Sequence, residues 1–256
     1  MKVVIPMSGN GSRFVSAGYE NIKPLILFDK KPFIEWVCKI YPIDTDFIFI
    51  CQKKHLESTE LRKELLRIAP KAQIVPIEAH KLGPVYAVKK AYDNIPNNES
   101  VIVNYCDFYM HWDYHNFVRT VQQNNCAGAV PCYTGFHPHL MHPNNIYATA
   151  LTDSNSFALE LKEKNSFFQD KTKDLHSAGT YYFRSGAILK EYFDQLMNNK
   201  QTINGEYYVS MVYELMIRDK LPVYIYDEIT HFCQWGTPAD FEEFLYWANI
   251  FTPSDC

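Results

Sequence analysis

The chain has no CxxC pair, no GK[ST] tripeptide, no HExxH and no run rich in lysine or arginine. Each absence removes a class of function. Without paired CxxC motifs or HExxH, neither a structural zinc site nor a zinc protease is expected. Seven cysteines is an odd number, and Cys38, Cys51 and Cys106 sit in apolar stretches, so reduced thiols of a cytoplasmic protein fit better than a disulfide framework. A formal net charge of −4 with no basic cluster lacks the electrostatic footprint of a nucleic-acid binder. Any anionic ligand must then be held by a few local groups. The leading apolar stretch "VVIPM" is too short for a signal peptide or a membrane span, so no membrane partner is expected.

What is present is an ordinary soluble composition with 47% hydrophobic and 21% charged residues over 256 positions, enough for one sizeable core. Aromatic residues reach 15%, and the tyrosines among them suit a groove as well as a core. The expectation is a single domain over 1–256, with one lobe over 1–110 and a second over 111–256.

The first half alternates short β-branched runs with helical periodicity. "KVVIP", "DFIFIC" (46–51), "AQIVPI" (72–77) and "SVIVNYC" (100–106) read as strands. Between them Phe33, Trp36, Val37 and Ile40 mark one helix, 56–68 a second, and Val85, Val88, Tyr92 and Ile95 a third. This rhythm predicts βαβ units and a parallel sheet covered on both faces. The second half changes to "CAGAVPCY", "NIYATAL", "FALELKEK" and "AGTYYFRSG", which predict antiparallel strands added to the sheet edge. Helices near 186–197 and 206–218, a last strand pair and a helix from Pro238 close the chain. The fold class is α/β: a three-layer, Rossmann-like mixed sheet, mostly parallel, with helices on both faces.

The first strand runs into "GNGSRF". The third position of a GxGxxG fingerprint is occupied by Phe14, and the lysine of a P-loop is absent. What remains is a turn of small residues, Ser8, Gly9, Asn10, Gly11 and Ser12, followed by Arg13 and, ten residues later, Lys23. Glycines let backbone N–H groups approach phosphate oxygens closely, and fixed cations neutralise a triphosphate. On the glycines alone, a plain strand-to-helix turn is the simpler reading.

The longer stretch "IPMSGNGSRFVSAGYENIKPLI" resembles the signature of the sugar-phosphate nucleotidyltransferases, the nucleoside-diphosphate-sugar pyrophosphorylases of GT-A-like fold. The resemblance implies that Ser8–Ser12 and Arg13 cradle a nucleoside triphosphate and that Lys23 supports the phosphates during attack. In the same order, "VNYCDFYMHWD" implies a Mg²⁺-binding role for Asp107. "LKEKNS" places Glu163 against sugar hydroxyls and Lys164 against the acceptor phosphate, and "SAGTYYF" places Gly179 beside the sugar. "NGEYYVS" puts Asn204 and Glu206 near the acceptor, and "PIEAHKLGPVYA" puts Glu78 and Gly83 near the base. Because a carboxylate accepts from an exocyclic amine, Glu78 favours CTP over UTP or dTTP, with ATP also compatible. The compact chain resembles members that supply nucleotide-activated sugars or polyols for capsule or lipopolysaccharide, and a homodimer is the expected assembly for such a fold.

The chain departs from the pattern where relatives carry a second metal aspartate and it reads Cys233, Gln234, Trp235. Asp113, Glu206 and Asp227 are the replacement candidates; otherwise Mg²⁺ rests on Asp107, phosphate oxygens and water. "HPHLMH" (137–142) and "HWDYH" (111–115) read as surface or loop histidines more readily than as a metal site. Of Tyr181 and Tyr182, strand alternation lets only one reach a pocket. "TPAD" reads as a helix start with Thr237 as N-cap. Competing functions are a GT-A glycosyltransferase, a phosphocholine-type cytidylyltransferase using Tyr181 and Trp235 as rings around a quaternary ammonium, and a non-catalytic nucleotide sensor.

Overall fold

A computed structural model of the chain describes residues 1–251. In chain order its strands are β1 (Lys2–Met7), β2 (Leu27–Phe28), β3 (Lys31–Pro32), β4 (Asp46–Gln52), β5 (Gln73–Ile77), β6 (Val101–Asn104) and β7 (Phe108–His111). There follow β8 (Gly128–Tyr133), β9 (Thr149–Thr152), β10 (Ala158–Lys162), β11 (Leu175–Ser177), β12 (Thr180–Phe183), β13 (Val223–Tyr226) and β14 (His231–Gln234). The α-helices are α1 (Ser12–Ser16), α2 (Phe33–Cys38), α3 (Lys53–Ser58), α4 (Leu61–Ile68), α5 (Gly83–Lys89), α6 (Tyr114–Gln123), α7 (Gly186–Asn198), α8 (Ser210–Arg218) and α9 (Pro238–Phe251).

Ten strands form one mixed sheet in the order β10-β9-β11-β8-β12-β6-β1-β4-β5, with β13 parallel to β8. The block β6-β1-β4-β5 is wholly parallel, and β12 joins β6 antiparallel to begin the second half. The alternation along β1 explains the layers. Val4 packs with Val85, Val88, Leu189 and Val212 from α5, α7 and α8, whereas Val3 and Ile5 pack on the other face with Ile34, Leu61 and Phe117 from α2, α4 and α6. The three-layer α/β architecture expected from the sequence is the one observed.

Several boundaries differ for local reasons. The helix expected over 56–68 is two helices broken at Thr59, whose extended backbone ends the first and whose Oγ1 accepts from the Leu61 amide at the start of the second. The strand expected through 164 ends at Lys162, and Lys164 takes a left-handed φ of 53°. The helix expected from 206 begins at Ser210. Asn204 and Gly205, both at positive φ, turn the chain so that Ile203 and Glu206 exchange backbone hydrogen bonds.

A third apolar cluster fixes the amino-terminal loop. Phe14, Ile26, Phe33, Trp235 and Phe241 are buried together, with Phe33 stacked on Trp235 at 4.8 Å between ring centres. Trp235 therefore supplies core packing and not a ligand cage. Thr237 caps α9 as expected, accepting from the Asp240 amide at 3.2 Å. Among the described residues no helix is long and apolar enough to cross a membrane.

Candidate active site

The strand ends bring the sequence-predicted residues together. β1 and β6 are neighbours from which the chain continues in opposite directions along the sheet, to β4 from β1 and to β8 from β6, so a crevice opens at their carboxyl ends. The loop after β1 carries Ser8–Arg13, and the loop after β6 carries Asp107. Gly11, at φ 60°, turns the chain into α1, where Phe14 is buried and the neighbouring Arg13 faces outward. Antiparallel pairing of β7 with β14 lays Gln234–Gly236 beside Asp107, and the Trp235 amide donates to the Asp107 carbonyl at 2.9 Å.

A cleft of about 790 Å³ is lined by Arg13, Asp107, Glu163, Lys164, Gly179 and Asn204, with Tyr105, Tyr181 and Tyr208 as aromatic walls. Lys23 stands behind it, donating to Asp107 Oδ2 at 2.7 Å and to the Gly236 carbonyl at 2.9 Å. Arg13 forms no ion pair among the described residues. It lines the cleft, and its charge acts on Tyr147, Tyr208 and Asp240. Tyr181 lines the cleft while Tyr182 packs on the opposite face.

Glu163 and Lys164 end up side by side because the chain turns at Lys164. The Lys164 ammonium donates to the Tyr208 hydroxyl at 3.1 Å and lies over the Tyr208 ring. Glu163 accepts from Ser210 Oγ at 2.6 Å, and burial pushes its carboxyl up to about 7 against that hydrogen bond and the Lys164 charge. The folded protein thus binds a proton between pH 4.5 and 7 that the unfolded chain releases, so this group makes stability fall as pH rises through that window. Glu163→Gln is expected to flatten the decline in urea midpoint between pH 5 and 7; an unchanged slope would assign it elsewhere.

Other predicted residues lie outside this cleft. Ser8 is buried, with Gly9, Asn10 and Ser12 at the surface, and Glu78 is exposed just after β5. Gly83 has φ 82° and a Cβ there would stand 2.8 Å from the Tyr207 amide nitrogen and carbonyl oxygen. Gly83→Ala should therefore lower stability by about 1–3 kcal/mol, read from urea unfolding. Glu206 is not on the cleft wall but raises the Tyr208 hydroxyl and acts on His80. Of the replacement metal ligands, Asp113 caps α6 by accepting from the Asn116 amide. No group of three or more His, Cys, Asp or Glu side chains suited to a metal forms among the described residues.

Sequence reasoning singled out none of Gln52, His80, Tyr208 and Ser210, although His80 lies within "PIEAHKLGPVYA" and Tyr208 and Ser210 within "NGEYYVS". Gln52 donates to the Ser8 carbonyl at 3.3 Å and to Asn10 Oδ1 at 2.8 Å, and His80 meets Ser8 Oγ at 3.0 Å. His139 packs behind the cleft against Tyr147 and Phe232, where burial pulls its imidazole down to about 3.

A Rossmann-like sheet with its polar cleft at the β1/β6 crevice is the architecture of nucleotide-handling α/β proteins. Residues 3–173 match the MobA-like NTP transferase domain, and the chain belongs to that family of nucleotidyltransferases. No curated protein matches the chain in sequence. Among solved structures it resembles the nucleoside-diphosphate-sugar pyrophosphorylase of Vibrio cholerae RC9 (TM-score 0.77, 19% identity, 95% of this chain and 99% of that one). It also resembles a Bacillus anthracis protein assigned as a glucose-1-phosphate thymidylyltransferase (0.72, 14%, 100% and 98%). A third match is the inositol-1-phosphate CTP transferase of T. maritima (0.70, 12%, 100% and 98%).

Proposed function

We propose that the protein joins a nucleoside triphosphate, CTP in the first instance, to a sugar or polyol phosphate and releases pyrophosphate. The observation that carries this reading is the shared cleft of Arg13, Asp107, Glu163 and Lys164, with Lys23 ion-paired to Asp107. Two anionic reactants need cations on two sides of one cavity. An oxygen of the acceptor phosphate attacks the α-phosphorus; the new P–O bond forms as the α–β anhydride bond breaks, and pyrophosphate leaves with the electron pair. The nucleophile is ionised at neutral pH, so no general base is required, and catalysis rests on alignment and charge neutralisation.

Arg13 neutralises the departing pyrophosphate, and Lys164, held against Tyr208, orients the acceptor phosphate. Glu163 and Asn204 accept from and donate to acceptor hydroxyls, as suits a sugar or polyol. One carboxylate fits a Mg²⁺ ion whose remaining shell is phosphate oxygen and water, so Asp107 would hold the metal, which supplies further charge neutralisation. The preference for CTP rests on Glu78, the residue after β5, a carboxylate suited to the amine of cytosine. A role in surface-polysaccharide precursor synthesis, a cytoplasmic location and a homodimer belong to the same reading.

The test is to mix the protein with Mg²⁺, each NTP in turn and a panel of sugar, polyol and choline phosphates, and to measure pyrophosphate. Release with CTP and one polyhydroxylated phosphate is expected. Release with phosphocholine alone would assign the other acceptor class, and consumption of a finished nucleotide-sugar without pyrophosphate would assign a glycosyltransferase.

A further inference from the structure

Among the described residues His80 is the one imidazole hydrogen-bonded to the amino-terminal loop, and the hydrogen bonds around it fix its proton. Its Nδ1 lies 3.2 Å from the Leu82 backbone nitrogen, and its Nε2 lies 3.0 Å from Ser8 Oγ. A backbone N–H can only donate, so Nδ1 is the acceptor and the ring proton of the neutral imidazole sits on Nε2. That N–H must then donate to the Ser8 oxygen. With its oxygen so engaged, the Ser8 hydroxyl proton is turned away from the histidine, and no other protein acceptor for it is seen among the described residues. Ser8 itself is 3% exposed, and Gln52 holds its carbonyl and the Asn10 side chain.

We propose that His80 is a positioning residue whose Nε2–H, donating to the buried Ser8 oxygen, holds the loop after β1 in the conformation that receives the phosphates of the bound nucleotide. This rests on the nucleotidyltransferase reading above and deepens its nucleotide side. The same imidazole ties the loop after β5 to the loop after β1, and that loop in turn grips the acceptor side. The Tyr207 amide donates to the Leu82 carbonyl at 3.0 Å, and the Val85 amide donates to the Tyr207 carbonyl at 3.2 Å. Tyr208 and Ser210, just beyond, hold Lys164 and Glu163. Hydrogen bonds joined by short stretches of backbone thus run from the phosphate loop to the acceptor pair.

The neutral ring is also favoured by its surroundings. It faces the Ser8 hydroxyl, the Leu82 amide, the Tyr86 ring at 4.7 Å, the Glu206 carboxylate and the Lys90 ammonium. Burial pulls the imidazole below its ordinary range, opposed by Glu206 and assisted by Lys90. Protonation at Nδ1 would set two N–H groups against each other at Leu82 and open the loop. Nucleotide affinity should therefore be complete at neutral pH and above, and be lost as pH falls below the ordinary histidine range.

The test has two arms. ¹⁵N-histidine NMR of the wild-type protein at pH 7.5, with the His80 signals assigned by their loss in His80→Phe, should show the Nε2–H tautomer. Calorimetric titration with Mg²⁺–CTP should show affinity weakened about tenfold in Ser8→Ala and in His80→Phe, and no further in the double variant. His80→Gln, which keeps a donor, should recover part of the loss. An Nδ1–H tautomer, additive losses, or wild-type affinity in His80→Phe would overturn the proposal while leaving the nucleotide reading intact. Failure of the wild-type protein to bind any of CTP, UTP, dTTP or ATP would overturn that reading and this proposal together.

Discussion

Arg13→Ala lowers turnover by about 10²–10³-fold, because it removes a cation from the place where charge develops on the leaving pyrophosphate. The effect should fall on kcat more than on KM. Arg13 is solvent-facing at the start of α1 and forms no ion pair among the described residues, so the fold does not depend on it. The buried neighbour Phe14, in edge contact with Phe33 at 6.4 Å, holds α1 in place whatever stands at position 13. Unchanged urea unfolding together with the kinetic loss would separate a chemical role from a structural one. Near-normal turnover in steady-state assays would remove Arg13 from the mechanism.

Lys23→Met should cost a similar 10²–10³-fold in kcat/KM, and here stability should move as well. Lys23 is partly buried, 14% exposed, and its ammonium bridges Asp107 and the Gly236 carbonyl, joining the loops after α1, β6 and β14. Its loss leaves the Asp107 carboxylate, 26% exposed, without its partner, at about 1–3 kcal/mol. Asp107→Asn in the same background discriminates between the two contributions. The double variant should regain stability, because no carboxylate is left unpaired, but not activity, because the ammonium and the metal-holding carboxylate are both gone. Activity restored along with stability would remove both Lys23 and Asp107 from the mechanism.

The residues that lie consecutively after a strand were legible in the sequence; those that meet across strands were not. "GNGSRF" followed by Lys23 announced an anion-binding turn because small residues and cations stand close along the chain, and the structure places Arg13 and Asp107 on one cleft wall with Lys23 behind. Gln52 and His80 carried no such signal. Each is a lone polar residue at a strand end or loop, and only the parallel register of β1, β4 and β5 brings them to Ser8. α6 was also hidden, since its buried residues Phe117 and Val121 are outnumbered by polar ones. The boundaries that slipped, at Thr59, Lys164 and Asn204, are single residues whose backbone conformation ends an element that periodicity alone would have continued.

Glu163, Lys164, Asn204 and Glu206 were visible only through resemblance to sugar-phosphate nucleotidyltransferases. Without it, Glu163 and Lys164 read as solvated charges on an edge strand. Folding gives the four residues different fates. Glu163 is buried on Ser210, Lys164 is pinned to Tyr208, Asn204 lines the cleft, and Glu206 stands outside its lining and acts through Tyr208.

The most direct test of the central claim is to follow pyrophosphate and nucleotide product together, by coupled assay and ³¹P NMR, with Mg²⁺, CTP and a polyol or sugar phosphate present singly and in combination. Transfer by one shared cleft predicts that pyrophosphate appears only when both substrates are present, in a one-to-one ratio with a new diphosphate-linked product. Pyrophosphate released from CTP without any acceptor, or no release with any pairing of NTP and acceptor phosphate, would contradict it.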